Sequence, residues 1–360
     1  MTDKKRSKNT IRDVALDAGV SIATVSRVVN KLGTVSKETE ERVQRSIDRM
    51  GFRLNAFGRG LSTARSYTIG VMIPSLSNPV FADAVSGITQ EASKAGYNVM
   101  IAATDYQHAA EISTVSTFLE RQIDGMILTV ADPMHSDALD MLEGAQAPYA
   151  LIYNQVSKSD RVTVTVDNVA AGDAVARCFH AQGHRVMAMI SGSFAESDRA
   201  IARRDGFVTG IAALGLPAPV IHEVGFVNLD IEPVLQSLFE NQDTAPTALF
   251  CSNDLLAISV ISGLERRGLR VPDDVSVMGF DGIAIGTHLH PTLATVIQPS
   301  KRMGEVAAQC LLCRIKGEGG MQSTLLPFTL RLGESTGRAC KQLPADLQTP
   351  HKSVHRRPAQ

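Results

Sequence analysis

Cys310 and Cys313 stand at the C-x-x-C spacing that can bind a metal or exchange disulfides. No second pair follows, and their neighbours Ala307, Ala308, Leu311 and Leu312 are those of an amphipathic helix, so packing is the expected role. His288-x-His290, beside Pro291, is likewise a pair without further ligands. The other cysteines, Cys178, Cys251 and Cys340, make the set odd and scattered, which reads as reduced thiols. The sequence contains neither a Walker loop nor a G-x-S-x-G elbow, so it is expected to be no enzyme and to need no cofactor.

The chemistry on offer is non-covalent, and charge points to it first. Residues 1–65 hold 14 Lys and Arg against 7 Asp and Glu, while the remainder holds 22 against 30, a head of +7 on a body of −8. A basic head on an acidic body is the footprint of a nucleic-acid binder whose other part must not stick to phosphate. The chain's 360 residues exceed one ordinary core. No apolar run is long enough to span a bilayer, and the start, MTDKKRSKNT, lacks the apolar stretch of a secretory signal. A cytoplasmic, nucleoid-associated protein with no membrane partner is expected.

The elements that must position this chemistry are legible in two styles. In the head, Thr10 with Asp13 is capping-box-like ahead of Val14, Ala15 and Ala18, and Gly19 can take the left-handed backbone of a tight helix–helix turn. Ser21 caps a second helix over 22–30, with Val25, Val28 and Val29 facing inward. That spacing leaves Ile22, Ala23, Thr24, Ser26 and Arg27 on or near the outward face. A third helix starts at Ser36 and runs to Gly51 with Val43, Ile47 and Met50 as its buried stripe. So small a core suffices if the second helix projects into a major groove.

In the body, TIGVMIP, YNVMIAA, DGMILTV and YALIY read as buried strands with helices from near Pro79, His108 and His135 between them. RVMAMIS, APVIHEV, TALFCS and DVSVMGF repeat the scheme, with helices near Asn168, Arg199, Leu229 and Asp254. Such alternation implies two parallel-sheet α/β lobes. Ligands in such sheets bind beyond the carboxyl ends of the strands, so the interlobe cleft is the expected sensor site.

The string TIRDVALDAGVSIATVSRVVN, with TVSKETEERVQRSIDRMGF after it, resembles the headpiece of the LacI/GalR family of bacterial transcriptional regulators. The resemblance continues more weakly from Tyr67 to about residue 338. It implies a small all-α helix-turn-helix headpiece (1–53), a hinge helix and linker (54–66), and a two-lobed periplasmic-binding-protein-like domain for effector binding and dimerisation (67–338). Residues 339–360 are expected to be a disordered tail, without the apolar heptads of a tetramerising coiled coil.

The family's operator-reading positions fall on Ser21, Ile22, Ala23, Thr24, Ser26 and Arg27. An arginine there can fork to guanine O6 and N7, while Ile22 and Ala23 can offer only apolar contact. The resemblance implies phosphate contacts from Thr10, Ser21, Thr24, Asn30 and Ser36, compatible with capping by Ser21 and Ser36. By position Leu61 is the family's minor-groove wedge, although Leu54 replaces a common Pro and Gly58 and Gly60 weaken the hinge helix.

Implied effector contacts are Ser77, Asn78, Phe81, Asn154, Arg203, Phe226, Asn253 and Asp281. Asp281 would accept from vicinal hydroxyls, Asn253 would donate and accept, Arg203 would grip a hydroxyl, carboxylate or phosphate, and Phe226 would lie against a ring. Phe81 reads equally as core, and Asp254 as the cap of the helix it opens. The implied partners are a near-palindromic DNA duplex, a carbohydrate-derived small polar effector and a second copy, through helices 79–95 and 253–268. The effector is expected to induce by shifting the population of DNA-competent dimers. A transport receptor would show the reverse, an export signal and no basic head.

Overall fold

A computed structural model of the chain describes residues 9–30, 33–52, 65–156, 161–227, 229–241, 243–318 and 322–339. It divides between Tyr67 and Thr68 into two compact units.

The first unit holds α1 (Ile11–Ala18), α2 (Ile22–Asn30) and α3 (Lys37–Met50). Thr10 and Asp13 close a reciprocal capping box on α1, and Gly19 ends it at φ 64°, where a Cβ would be penalised. Val14, Ala15, Ala18, Val25 and Val43 form the core. Val28, Val29, Ile47 and Met50 pack on its rim and are only partly buried, because three short helices cannot enclose them. An Arg49–Asp17 ion pair ties α3 to α1.

The second unit contains two six-stranded sheets. The first lobe is built from β1 (Thr68–Ile73), α4 (Pro79–Lys94), β2 (Asn98–Ala103), α5 (His108–Glu120), β3 (Gly125–Leu128), α6 (Asp137–Gly144), β4 (Tyr149–Ile152) and β5 (Thr163–Val166). The second has α7 (Asn168–Ala181), β6 (Met187–Gly192), α8 (Asp198–Ala213), β7 (Val220–Val224), α9 (Glu232–Phe239), β8 (Ala248–Cys251), α10 (Asp254–Arg266), β9 (Ser276–Asp281) and β10 (Ala294–Ile297). Then α11 (Ser300–Lys316) returns to pack on α4 and β4, β11 (Thr324–Leu326) completes the first sheet, and β12 (Thr329–Arg331) the second. The orders are β11-β5-β4-β3-β1-β2 and β12-β10-β9-β8-β6-β7. Pairing is parallel throughout except between β10 and β12.

Four of these strands, β5 and β10 to β12, were not expected from the sequence. The first is a four-residue Thr-Val alternation, fully buried on both faces, and the others are three or four residues long. Each contains Thr and lacks the apolar run that marks most of the other strands. They matter because the chain crosses between lobes beside them: at Asp167 after β5, at Gln298 and Pro299 after β10, and at Pro327 and Phe328 between β11 and β12. At the opposite edges β2 and β7 are partly exposed rather than buried, with Ile101 and Val220 facing out.

Cores form separately around Met72, Phe118, Leu128 and Leu151 in the first lobe, and around Ile190, Leu249, Val260 and Val277 in the second. In the second lobe α7 and α8 pack backbone to backbone. A Cβ on Gly206 would sit 1.9 Å from the Val169 carbonyl oxygen, and one on Gly172 would sit 2.2 Å from that of Arg203. This close approach brings Arg203 onto the first residue of α7: its Nε donates to Asn168 Oδ1 at 2.8 Å.

Candidate functional site

On α2, Val25 is fully buried, whereas Ile22, Ala23 and Arg27 are exposed and Thr24 and Ser26 half-buried. The Ser21 hydroxyl accepts the Thr24 N–H at 3.1 Å, and Ser36 accepts that of Thr39 at 3.4 Å, so both serines cap. Thr10 and Asp13 likewise satisfy each other, with the Asp13 carboxyl held below its usual range by the Thr10 backbone N–H. The face of α2 opposite Val25 thus offers a guanidinium, hydroxyls and small apolar groups at a capped helix N-terminus. The Asn30 side chain, Leu61 and the rest of the expected hinge, and Cys340 with the expected tail lie outside the described residues.

In the second unit, polar and aromatic side chains converge on one cavity between the sheets. Asn78, Val80 and Phe81 follow β1, Tyr106 follows β2, and Tyr153 follows β4. From the other lobe come Ser197, Arg199 and Arg203 at the start of α8, Phe226 after β7, Ser252 and Asn253 after β8, and Asp281 ending β9. Gln298 lines it from a crossing segment. Every one stands at or just past a strand's carboxyl end, or in the first two turns of the next helix.

Asp281 joins the lobes. Its Oδ2 accepts from Asn78 Nδ2 at 3.1 Å and its Oδ1 from Gln298 Nε2 at 2.7 Å, while Asn78 Oδ1 caps α4 through Val80 N–H. Asp281 sits at φ 123°, which side chains seldom adopt, and Asp254 holds it there. The Asp254 carboxylate accepts the N–H groups of Gly282 and Ile283, both at 2.8 Å, and the Thr295 hydroxyl at 2.6 Å. Asp254 is therefore not the cap expected from its position: Asn253 caps α10, accepting Leu256 N–H at 2.8 Å. Burial pushes Asp281 up, opposed by Arg203 nearby, and pushes Asp254 up to about 7 with Asp281 adding like-charge repulsion.

Arg203 carries no ion pair among the described residues. Its Nη1 donates to the Ser252 carbonyl at 2.6 Å, and its guanidinium lies 3.4 Å from the Phe280 ring centre. Burial lowers it to about 10, with Asp281 pulling the other way. A guanidinium buried among neutral acceptors, with a carboxylate nearby, suits a ligand hydroxyl that accepts from one and donates to the other.

Two expected contacts fall elsewhere. Ser77 is exposed and bonds Ser75, since the chain turns its side chain outward before α4 begins. Asn154 is buried outside the cavity with its amide committed: Nδ2 donates to the Val130 carbonyl at 2.8 Å and to Asp198 Oδ1 at 3.0 Å, and Oδ1 accepts Val130 N–H. It belongs to a second interlobe tie, in which Asp198 also accepts Gln155 N–H at 2.7 Å and Arg199 reaches the Val130 carbonyl at 3.1 Å. Phe81 is both core and wall, edge-on to Tyr153 at 5.4 Å. Sequence reasoning missed Tyr106, Tyr153, Ser197, Arg199 and Gln298. Arg199, four residues before Arg203 and so on the same helix face, had a usable signal.

Among the described residues no group of three His, Cys, Asp or Glu could hold a metal, and no helix is long and apolar enough to cross a membrane. Cys310 is buried on α11 and Cys313 half-buried, as a packing role requires.

Residues 66–333 match the family model described as periplasmic binding proteins and sugar binding domain of LacI family, and residues 10–55 match that of bacterial regulatory proteins, lacI family. The chain belongs to the LacI family. Among LacI-family relatives, the catabolite control protein A of Priestia megaterium is 34% identical over 91% of this chain and 99% of its own length. The HTH-type transcriptional regulator GntR of Escherichia coli (strain K12) is 33% identical over 92% and 99%. The solved complex of the transcriptional regulator CelR with cellobiose is 26% identical, with a TM-score of 0.67 over 91% of this chain and 99% of that one. The LacI-family headpiece and two-lobed sensor thus account for both described units.

Proposed function

We propose that this LacI-family regulator binds a near-palindromic operator as a homodimer in the cytoplasm, at the nucleoid, and that a small polar, carbohydrate-derived effector in the interlobe cleft sets its operator affinity. In this reading α2 enters a major groove, Arg27 forks to a guanine, and Ile22 and Ala23 make apolar contacts. Ser26 reads the operator beside Arg27, while Thr10, Ser21, Thr24, Asn30 and Ser36 serve mainly the backbone and register, and Leu61, in the 54–66 hinge, wedges the minor groove. The division into headpiece 1–53, hinge 54–66, sensor 67–338 and tail 339–360 is part of the same proposal.

The effector contacts are Asn78, Phe81, Arg203, Phe226, Asn253 and Asp281, joined by Tyr106, Ser197, Arg199 and Gln298. The observation that carries this reading is that the cavity is lined from both lobes at once. A ligand touching both lobes has different affinities for different lobe arrangements, which is the condition for shifting a population. Induction is the proposed sense. The CelR complex with cellobiose supports a sugar-like ligand by likeness. No step of bond chemistry is invoked, and the protein acts by binding.

Selection of duplexes from a randomised pool tests the first half, with an inverted repeat expected. A thermal-shift screen of sugars, sugar acids, sugar phosphates and nucleosides tests the second, since a ligand of the folded state raises Tm. Turnover of any of these compounds, or no preference for inverted repeats, would overturn the reading.

A further inference from the structure

The cavity that both lobes line is nearly filled by the protein's own side chains. Tyr106 and Phe226 stack face to face across it, ring centres 4.0 Å apart and planes 4° from parallel. Only about 30 Å³ of it is open to the centre of a water-sized sphere, which leaves room for water but not for a sugar. A sugar-sized molecule therefore enters only when these rings part.

The position of the pair gives it leverage. Tyr106 follows β2 and Phe226 follows β7, the last strands of their sheets, while all three interlobe crossings lie beside strands at or near the other edges. A contact far from the pivots of a hinge is the one that opening separates most. Both partners are also held on purpose-built backbone. Asp105 and Tyr106 are consecutive left-handed residues, φ 48° and 61°, a conformation that non-glycine residues keep only where surroundings enforce it. Phe226 packs on Gly192, where a Cβ would stand 2.3 Å from the ring.

We infer that Tyr106 and Phe226 form an aromatic clasp that keeps the sensor cleft shut, and that the effector must displace this contact to reach Arg203 and Asp281. Tyr106 is then a determinant of effector access as well as a wall residue. The inference rests on the reading of the cleft as the effector site, but its central contact can be tested without any effector.

The chain has no tryptophan, so F226W places a single indole in the clasp. In full-length F226W the indole is expected to be shielded from acrylamide. Adding Y106A is expected to raise the quenching constant several-fold and shift emission to the red, while Y106F leaves both unchanged because a phenyl ring stacks as well. If Y106A does not fold, Y106L removes the ring while keeping bulk; if F226W does not fold, Y106W with and without F226A reports the same contact from the other side. Equal quenching with and without the opposing ring would sink the clasp, whatever the protein binds. A shielded indole that responds to no sugar, sugar acid, sugar phosphate or nucleoside would support the clasp and count instead against the effector reading.

Discussion

Asp281 does three things at one position: it bridges the lobes through Asn78, it faces Arg203, and it occupies a backbone region that Asp254 must hold. Its removal should be specific, because the side chains it bonds, Asn78 and Gln298, belong to the sensor unit. Asp281→Ala is expected to leave operator affinity intact while abolishing the effector response, measured by fluorescence anisotropy of a labelled duplex. An unaltered effector dependence would remove Asp281 from the site. In the headpiece, Arg27 is exposed on α2 and none of the core depends on it. Arg27→Ala is therefore expected to weaken operator binding by about 1–3 kcal/mol and to relax the preference at one base position without lowering headpiece stability.

At the scale of elements, two constructions hold the site in place. The first is the α7–α8 contact, where Gly206 lets helix backbones meet. Gly206→Ala should cost about 1–3 kcal/mol in chemical denaturation, as overpacking does, and should weaken effector binding because α8 carries Arg199 and Arg203. Retained stability would mean that the helices can spread without loss. The second is Asp254 under the β9 loop. With its pKa pushed up to about 7, from roughly 3.9 in an unfolded chain, the native state binds the proton more tightly. Its stabilising contribution is thus full below about pH 4 and is lost as pH rises through about 7. Asp254→Asn should flatten that part of the Tm–pH curve. The neutral amide can still accept from Gly282 and Ile283, so the loop should survive the change.

At the scale of the whole molecule, a basic head and an acidic body suit a protein that must hold phosphate with one part only. Operator affinity is expected to fall linearly in log–log form with salt, with a slope set by the number of phosphates neutralised. The effector response should persist across the same salt range, because the cleft's charges are buried and poorly screened. A salt-independent affinity would deny the headpiece its part. Opening and closing of the cleft has two ties to break besides the clasp, at Asn78–Asp281 and at Asn154–Asp198. Cooperative switching is the expected consequence, since both ties bridge the same two lobes.

The sequence alone determined whatever depends on neighbours along the chain. Caps at Thr10, Ser21 and Ser36, the apolar stripe of α2, and eight of the strand runs follow from local spacing, and the dense headpiece string carried the family. Asn78, Phe81, Arg203, Phe226, Asn253 and Asp281 came from the family resemblance, and they line one cavity because each stands near a strand's carboxyl end or in the first two turns of the next helix. Only the tertiary structure decided what depends on residues far apart in sequence. It turned Ser77 outward, spent Asn154 on Asp198, gave the capping role to Asn253 rather than Asp254, and brought Tyr106 onto Phe226 across 120 positions. The crossing strands β5 and β10 to β12 were passed over for the same reason: each is a short segment containing Thr, without a long apolar run, and the sheet edge beside it makes it a strand.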